Sequence, residues 1–216
     1  MDRRQLRAAR RADASGSGPT LEERDAPRFP GAAGAFALFG EVLVVGLLVT
    51  IASLAVVTLP AALAAGIRHL RRYVAAEASP AALFWQDVKK ALPSGLVVGF
   101  AGLLLTLLLL LDIDLARSGF LPGGGAVEIV GWVGLAALAV ALLAATGAWT
   151  PETGWRAAVR SIPSTIAADL GGAVYLAATA FFVCVATWML VPLIVPALGC
   201  AALAVVAIPT RRRRAR

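Results

Sequence analysis

From Leu170 to Ile208 the chain runs for 39 residues without a charged side chain. A straight helix of that length would measure about 58 Å, against about 30 Å of hydrocarbon in a bilayer. One crossing cannot absorb the run, so it must be broken. Pro192 and Pro196 supply the break, because proline lacks the amide that a preceding turn needs and suits the first turn of a new helix. Two segments follow, at about 171–190 and 193–208.

The same reasoning applies nearer the start. Phe36 to Ile67 is 32 residues whose only charge is Glu41. Thr58-Leu59-Pro60 divides it, giving segments at about 36–57 and 60–75, the second running out through Arg68, Arg71 and Arg72; a single long kinked helix is the alternative. Gly95 to Leu111 is unbroken and apolar, within a segment at 94–112 that Asp112 and Asp114 close. Pro122-Gly123-Gly124-Gly125 reads as a loop, and a further segment spans 127–149. With 59% apolar and only 15% charged residues, the chain departs from the roughly 45–50% and 25% of soluble domains. The expected fold class is therefore all-α, a polytopic membrane helical bundle of about six segments arranged as three hairpins. Five segments, with the N-terminus outside, is the alternative.

Ser79-Pro80 reads as a helix start. The helix it opens places Phe84, Trp85, Val88 and Leu92 on one side and Gln86, Asp87, Lys89 and Lys90 on the other. That pattern predicts a helix lying in the headgroup plane. Thr150-Pro151 repeats the signal, and Trp85 to Ser94 aligns with Trp155 to Ser164 at an offset of 70 residues, sharing Trp, a basic residue, a branched aliphatic, Pro and Ser. Two segments separate the copies, so both belong on one face, as equivalent interfacial helices of a parallel repeat.

The net charge of +7 follows the same layout. Residues 1–34 form a polar tail, expected to be disordered, with seven Arg; Arg68 to Lys90 holds five Lys/Arg, the Trp155 stretch two, the end from Arg211 to Arg216 five, and the Asp112 to Ala126 loop one. Basic residues near span ends mark the cytoplasmic side. Both termini are accordingly expected in the cytoplasm of a bacterial cell, with the bundle in its inner membrane. The basic residues lie between and beyond apolar runs, so they point to the lipid bilayer and its anionic headgroups as partner and not to nucleic acid.

Catalytic sets are scarce. His69 is the only histidine and, beside Arg68, is expected to help form a headgroup-facing cationic surface. Zinc ligation needs several N/S ligands at set spacings. No Gly-x-Ser-x-Gly elbow or phosphate-binding Gly-x-x-x-x-Gly-Lys-Ser/Thr loop occurs. Cys184 and Cys200, both in apolar runs, read as small buried hydrophobes. Neither enzymatic activity nor a cofactor is expected. Glu41 lies within an apolar span, where a charge is costly and needs a partner or a water-filled cleft. It either contacts substrate or a gate, or else lies at the interface or pairs with a nearby arginine. Asp112, Asp114 and Glu128 read as a solvated rim. The residues singled out for a functional role are Glu41, Pro60, Arg68, Arg71, Arg72, Trp85 and Trp155.

The stretch Ser53-Leu-Ala-Val-Val-Thr-Leu-Pro60-Ala-Ala, followed by an alanine-rich helix ending Arg68-His-Leu-Arg-Arg-Tyr73, then Phe84-Trp85 and Lys89-Lys90 ahead of a long span, resembles the YesL-like family of bacterial integral membrane proteins. The likeness covers about Phe36 to Leu111. The chain departs from the family's pattern at Ala55, where proline is common, and at Phe84-Trp85, where the family is richer in phenylalanine. The family has no established activity and lends no functional residues. What the resemblance implies is a companion of a carbohydrate uptake system, with an ABC-type permease as partner. A small transporter or channel in its own right, with Glu41 and the breaks at Pro60 and Pro192 forming a midplane site, is the second expectation.

Overall fold

The computed structural model describes residues 35–118 and 123–214, with side chains to residue 208. The tail at 1–34 and its expected disorder lie outside the described residues. Eight α-helices and no strand occur among them: α1 (Ala35–Ala52), α2 (Leu59–Val74), α3 (Ala81–Arg117), α4 (Gly124–Ala148), α5 (Gly154–Arg160), α6 (Ile162–Ala168), α7 (Leu170–Met189) and α8 (Ile194–Arg214). The fold is an all-α helical bundle. Five stretches are long and apolar enough to cross a membrane: Ala35–Ala52, Ala81–Arg117, Gly124–Ala148, Leu170–Met189 and Val191–Ile208. They mark the chain as a membrane protein. The remaining long helix, α2, is 16 residues with a basic final turn and is not among the five.

Both proline breaks form where the sequence places them. After α1 a short 3-10 turn, Val56–Thr58, leads into α2 with Pro60 in its first turn. The Thr58 hydroxyl, 2.7 Å from the Ala52 carbonyl and 2.6 Å from that of Ala55, ties the turn to the end of α1. Val191–Leu193 is the matching turn before α8. Helix α1 ends at Ala52, five residues short of the expected Val57.

The core is organised around α2. Ala61, Ala62, Ala64, Ala65, Ile67 and Leu70 are completely buried, because α1, α3, α4 and α8 all pack against this one helix. Small residues let the backbones close in. A Cβ on Gly99 of α3 would overlap the Val57 carbonyl, and Gly46 and Gly199 meet the carbonyls of Val195 and Val42 where α1 and α8 run antiparallel. Close packing through Gly and Ala is the usual means of helix association where no water drives it.

Three expectations are corrected. The amphipathic helix at Ser79-Pro80 does not lie apart from the following span: α3 is one helix of 37 residues with Pro93 inside it. Its buried stripe is Phe84, Asp87, Val88 and Ala91, so the inward face carries the acid while Trp85 is 38% exposed. Packing against α2 outweighs the proline's helix-breaking tendency. The two Trp-to-Ser copies are also unequal, since the second breaks at Ser161 into α5 and α6, with Pro163 in the first turn of α6. Finally, Cys184 is exposed on the outside of α7, while Cys200 is only partly covered; α7 is peripheral, packing mainly on α4 and α8.

Candidate functional site, a buried charged cluster at the end of α2

Helix α2 ends in Arg68-His69-Leu70-Arg71-Arg72, so four polar side chains leave the same two turns in several directions. Its end is held by a C-terminal cap: the Glu77 amide donates to the Arg72 carbonyl (2.9 Å) and the Ala76 amide to that of Tyr73 (3.0 Å). This paired arrangement requires a left-handed residue after the cap, here Ala76 at φ 60°. The cap fixes the turn from which the basic side chains project.

Each finds a partner outside α2. Asp87 of α3, 4% exposed, receives Arg72 at 2.7 Å and Arg68 at 3.3 Å. Arg71 donates to the Gly147 carbonyl near the end of α4 at 2.7 Å, one of the terminal carbonyls a helix leaves unpaired. The Arg68 guanidinium also lies 5.9 Å from the ring centre of Trp149, within reach of a cation–π contact. Trp149 in turn lies beside Trp155, ring centres 6.0 Å apart.

Glu41 meets His69 at 2.6 Å (Oε1 to Nε2). The acid placed in an apolar span does have a partner, and it is the histidine. His69 is 2% exposed, so the expectation of a headgroup-facing imidazole is overturned: the α1–α2 hairpin folds it against Glu41. In the same way Arg68, Arg71 and Arg72 turn inward to Asp87 and Gly147, and do not form an open cationic surface. Two buried atoms of this cluster, His69 Nδ1 and Arg72 Nε, have no protein hydrogen-bond partner.

Trp155 is buried, and its indole N–H donates to the Ala91 carbonyl of α3 at 2.8 Å. The bond joins the second Trp-to-Ser copy to the first, one turn on from the Asp87 bridge. The turn before it is built by Thr150, whose hydroxyl accepts the Thr153 amide at 3.2 Å, and by Gly154 at φ 69°. Glu152 is exposed in this turn. A hydrogen bond from its own amide, another from the Thr150 hydroxyl, and the charges of Arg68 and Lys90 hold its carboxyl below the usual carboxylate range.

Of the seven residues singled out from sequence, the structure brings Glu41, Arg68, Arg71, Arg72 and Trp155 to this end of the bundle, with Pro60 at the opposite end of α2. Trp85 lies on the exposed side of α3, edge-on to Phe84. Sequence reasoning missed His69, Asp87 and Trp149. Asp87 carried a readable signal, since Phe84 three residues before it and Ala91 four residues after it share its helix face and are apolar; only a buried partner makes an acid acceptable on such a stripe.

Elsewhere, Glu128 is bridged by Arg117 at 2.6 Å, with Asp112 and Asp114 exposed nearby. No group of three or more His, Cys, Asp or Glu among the described residues is placed to hold a metal ion. A cavity of about 300 Å³ lies between α4, α6, α7 and α8, lined by Ala144, Ile166, Asp169, Ala173, Leu176 and Ile208. Compared with known proteins, the chain matches no family model, no curated protein and no solved structure.

Proposed function

We propose that this membrane protein is an accessory or regulatory component of a solute uptake system, without catalytic activity of its own, and that its partner is an ABC-type permease. The resemblance to the YesL-like family supplies the carbohydrate element of this reading. The observation that carries the accessory role is the filled centre: the alanine face of α2 occupies the middle of the bundle, and Glu41 is engaged by His69. A carrier needs a polar site near mid-membrane that opens alternately to both sides; the cavity between α4, α6, α7 and α8 is mainly apolar. Helix α7 supplies a surface for a partner in the membrane, with Phe181 71%, Trp188 91% and Met189 75% exposed.

The protein belongs, in this reading, to a bacterial inner membrane with both termini cytoplasmic. Counting α2 as a sixth, short pass returns the chain to the side on which α1 begins. The Glu41–His69 contact supports this, because it joins the second turn of α1 to the penultimate turn of α2.

The test has two arms. Proteoliposomes holding this chain alone, assayed by counterflow with labelled mono- and disaccharides, should show no flux above empty liposomes. Cross-linking in native membranes should join α7 to permease subunits. Sugar flux that Glu41→Gln abolishes would replace the accessory reading with the carrier reading. Cysteine labelling tests the topology: a periplasmic label at Ser15, or a cytoplasmic one at Ser118, contradicts it.

A further inference from the structure

The inward turn of Arg68, Arg71 and Arg72 leaves a different set of cations outside. Lys89 and Lys90 on α3 and Arg156 and Arg160 on α5 are all exposed. In sequence the two pairs lie in segments 70 residues apart, but the bond from Trp155 to the Ala91 carbonyl brings the segments into contact. Lys90 immediately precedes the acceptor and Arg156 immediately follows the donor, so the two cations flank the junction. Arg160 follows Arg156 by four residues, on the same face of α5. Glu152, within electrostatic reach of Lys90, is the acid of this platform and only partly offsets it.

Two further features say what meets these cations. Trp85 and Val159, 38% and 41% exposed, lie among them, giving the mixture of apolar and basic side chains that suits a lipid interface better than an acidic protein surface. The platform also stands where the apolar stretches begin and end: α3 runs from it into Gly95 to Leu111, α4 finishes beside it at Ala148, and α7 starts shortly after it at Leu170.

We propose that the joined segments of α3 and α5 form one binding surface for anionic phospholipid headgroups, with Lys90, Arg156 and Arg160 contacting phosphate and Lys89 at its edge. The surface is composite, since neither segment alone gathers these charges. Each cation near an anionic bilayer surface strengthens binding about fivefold.

The test uses the full chain reconstituted in phosphatidylcholine bilayers carrying spin-labelled phosphatidylglycerol or spin-labelled phosphatidylcholine. The expected result is an association of phosphatidylglycerol about fivefold or more above that of phosphatidylcholine, reduced by added salt. Lys90→Gln/Arg160→Gln should lose most of that preference, while Arg117→Gln, at the far end of α3, should keep it. Lys90→Gln alone, at an exposed position, provides the test if the double variant does not fold, and should lose a severalfold share. Equal association of the two lipids overturns the proposal, as does a preference that these variants leave intact. Retention of soluble polyglutamate by a chain with no lipid preference would overturn it in favour of a protein partner.

Discussion

Two clusters in this bundle use the same chemistry and do different work. At the end of α2, Asp87 is held by Arg68 and Arg72, with Arg68 5.9 Å from the Trp149 ring. At the far end of α3, Glu128 is held by Arg117, which lies 5.8 Å from the Trp132 ring. The carboxylate side chain is 6% exposed in the first and 30% in the second, and the arginines are 26% and 17% against 58%. The buried cluster ties α2 to α3 and, through Trp149, to the end of α4. The exposed one spans only the α3–α4 hairpin. Burial, not the residue types, makes an arginine–carboxylate–tryptophan group architectural.

The largest test of this contrast is removal of the carboxylate at each place. Asp87→Ala leaves two arginines facing a buried site and should cost about 3–5 kcal/mol, read as SDS-induced unfolding in micelles; Glu128→Gln should leave the same curve unmoved. Comparable losses at both sites would erase the distinction. Trp155→Phe keeps the ring but removes the donor to Ala91, and should cost about 1–2 kcal/mol. A smaller effect of opposite sign is expected at the cap: Ala76→Gly relieves a left-handed alanine and should raise stability by about 1 kcal/mol, measured in the same way.

The smallest effect is a pH dependence at the exposed turn. Because the folded protein holds the Glu152 carboxyl below its ordinary range, its contribution is complete above the unfolded value and is lost as pH falls through the lowered folded one. Thermal unfolding followed from pH 7 down to about 3 should therefore show a slightly steeper acid loss for the unmodified chain than for Glu152→Gln.

Hydropathy was the legible part of this molecule. The long uncharged runs and the prolines at 60 and 192 defined the hairpin turns because those turns depend on local backbone chemistry. The fate of the charges was not legible, since it depends on which helix lies opposite. Arg68, Arg71 and Arg72 look like a surface patch when α2 is read alone, and His69 among them looks the same. They point inward because α2 is central and its neighbours bring Asp87, the Gly147 carbonyl and Glu41. The continuity of α3 through Pro93 has a similar origin: its buried stripe packs on α2 and Trp155 grips the Ala91 carbonyl. The second copy, with Ala157 where the first has Asp87, lacks the ion pair and breaks at Ser161. Glu41 shows the other side of the lesson, because its need for a partner followed from sequence while the partner's identity did not.

The central claim is that the basic end of α2 is a fastener directed into the bundle. A double-mutant cycle between Arg72 and Asp87, using Arg72→Ala, Asp87→Ala and the pair, measures it most directly in unfolding free energy. The double variant should lose clearly less than the sum of the single losses, with a coupling of about 1–3 kcal/mol. Additive losses would mean that the two charges do not act on each other and would contradict the account.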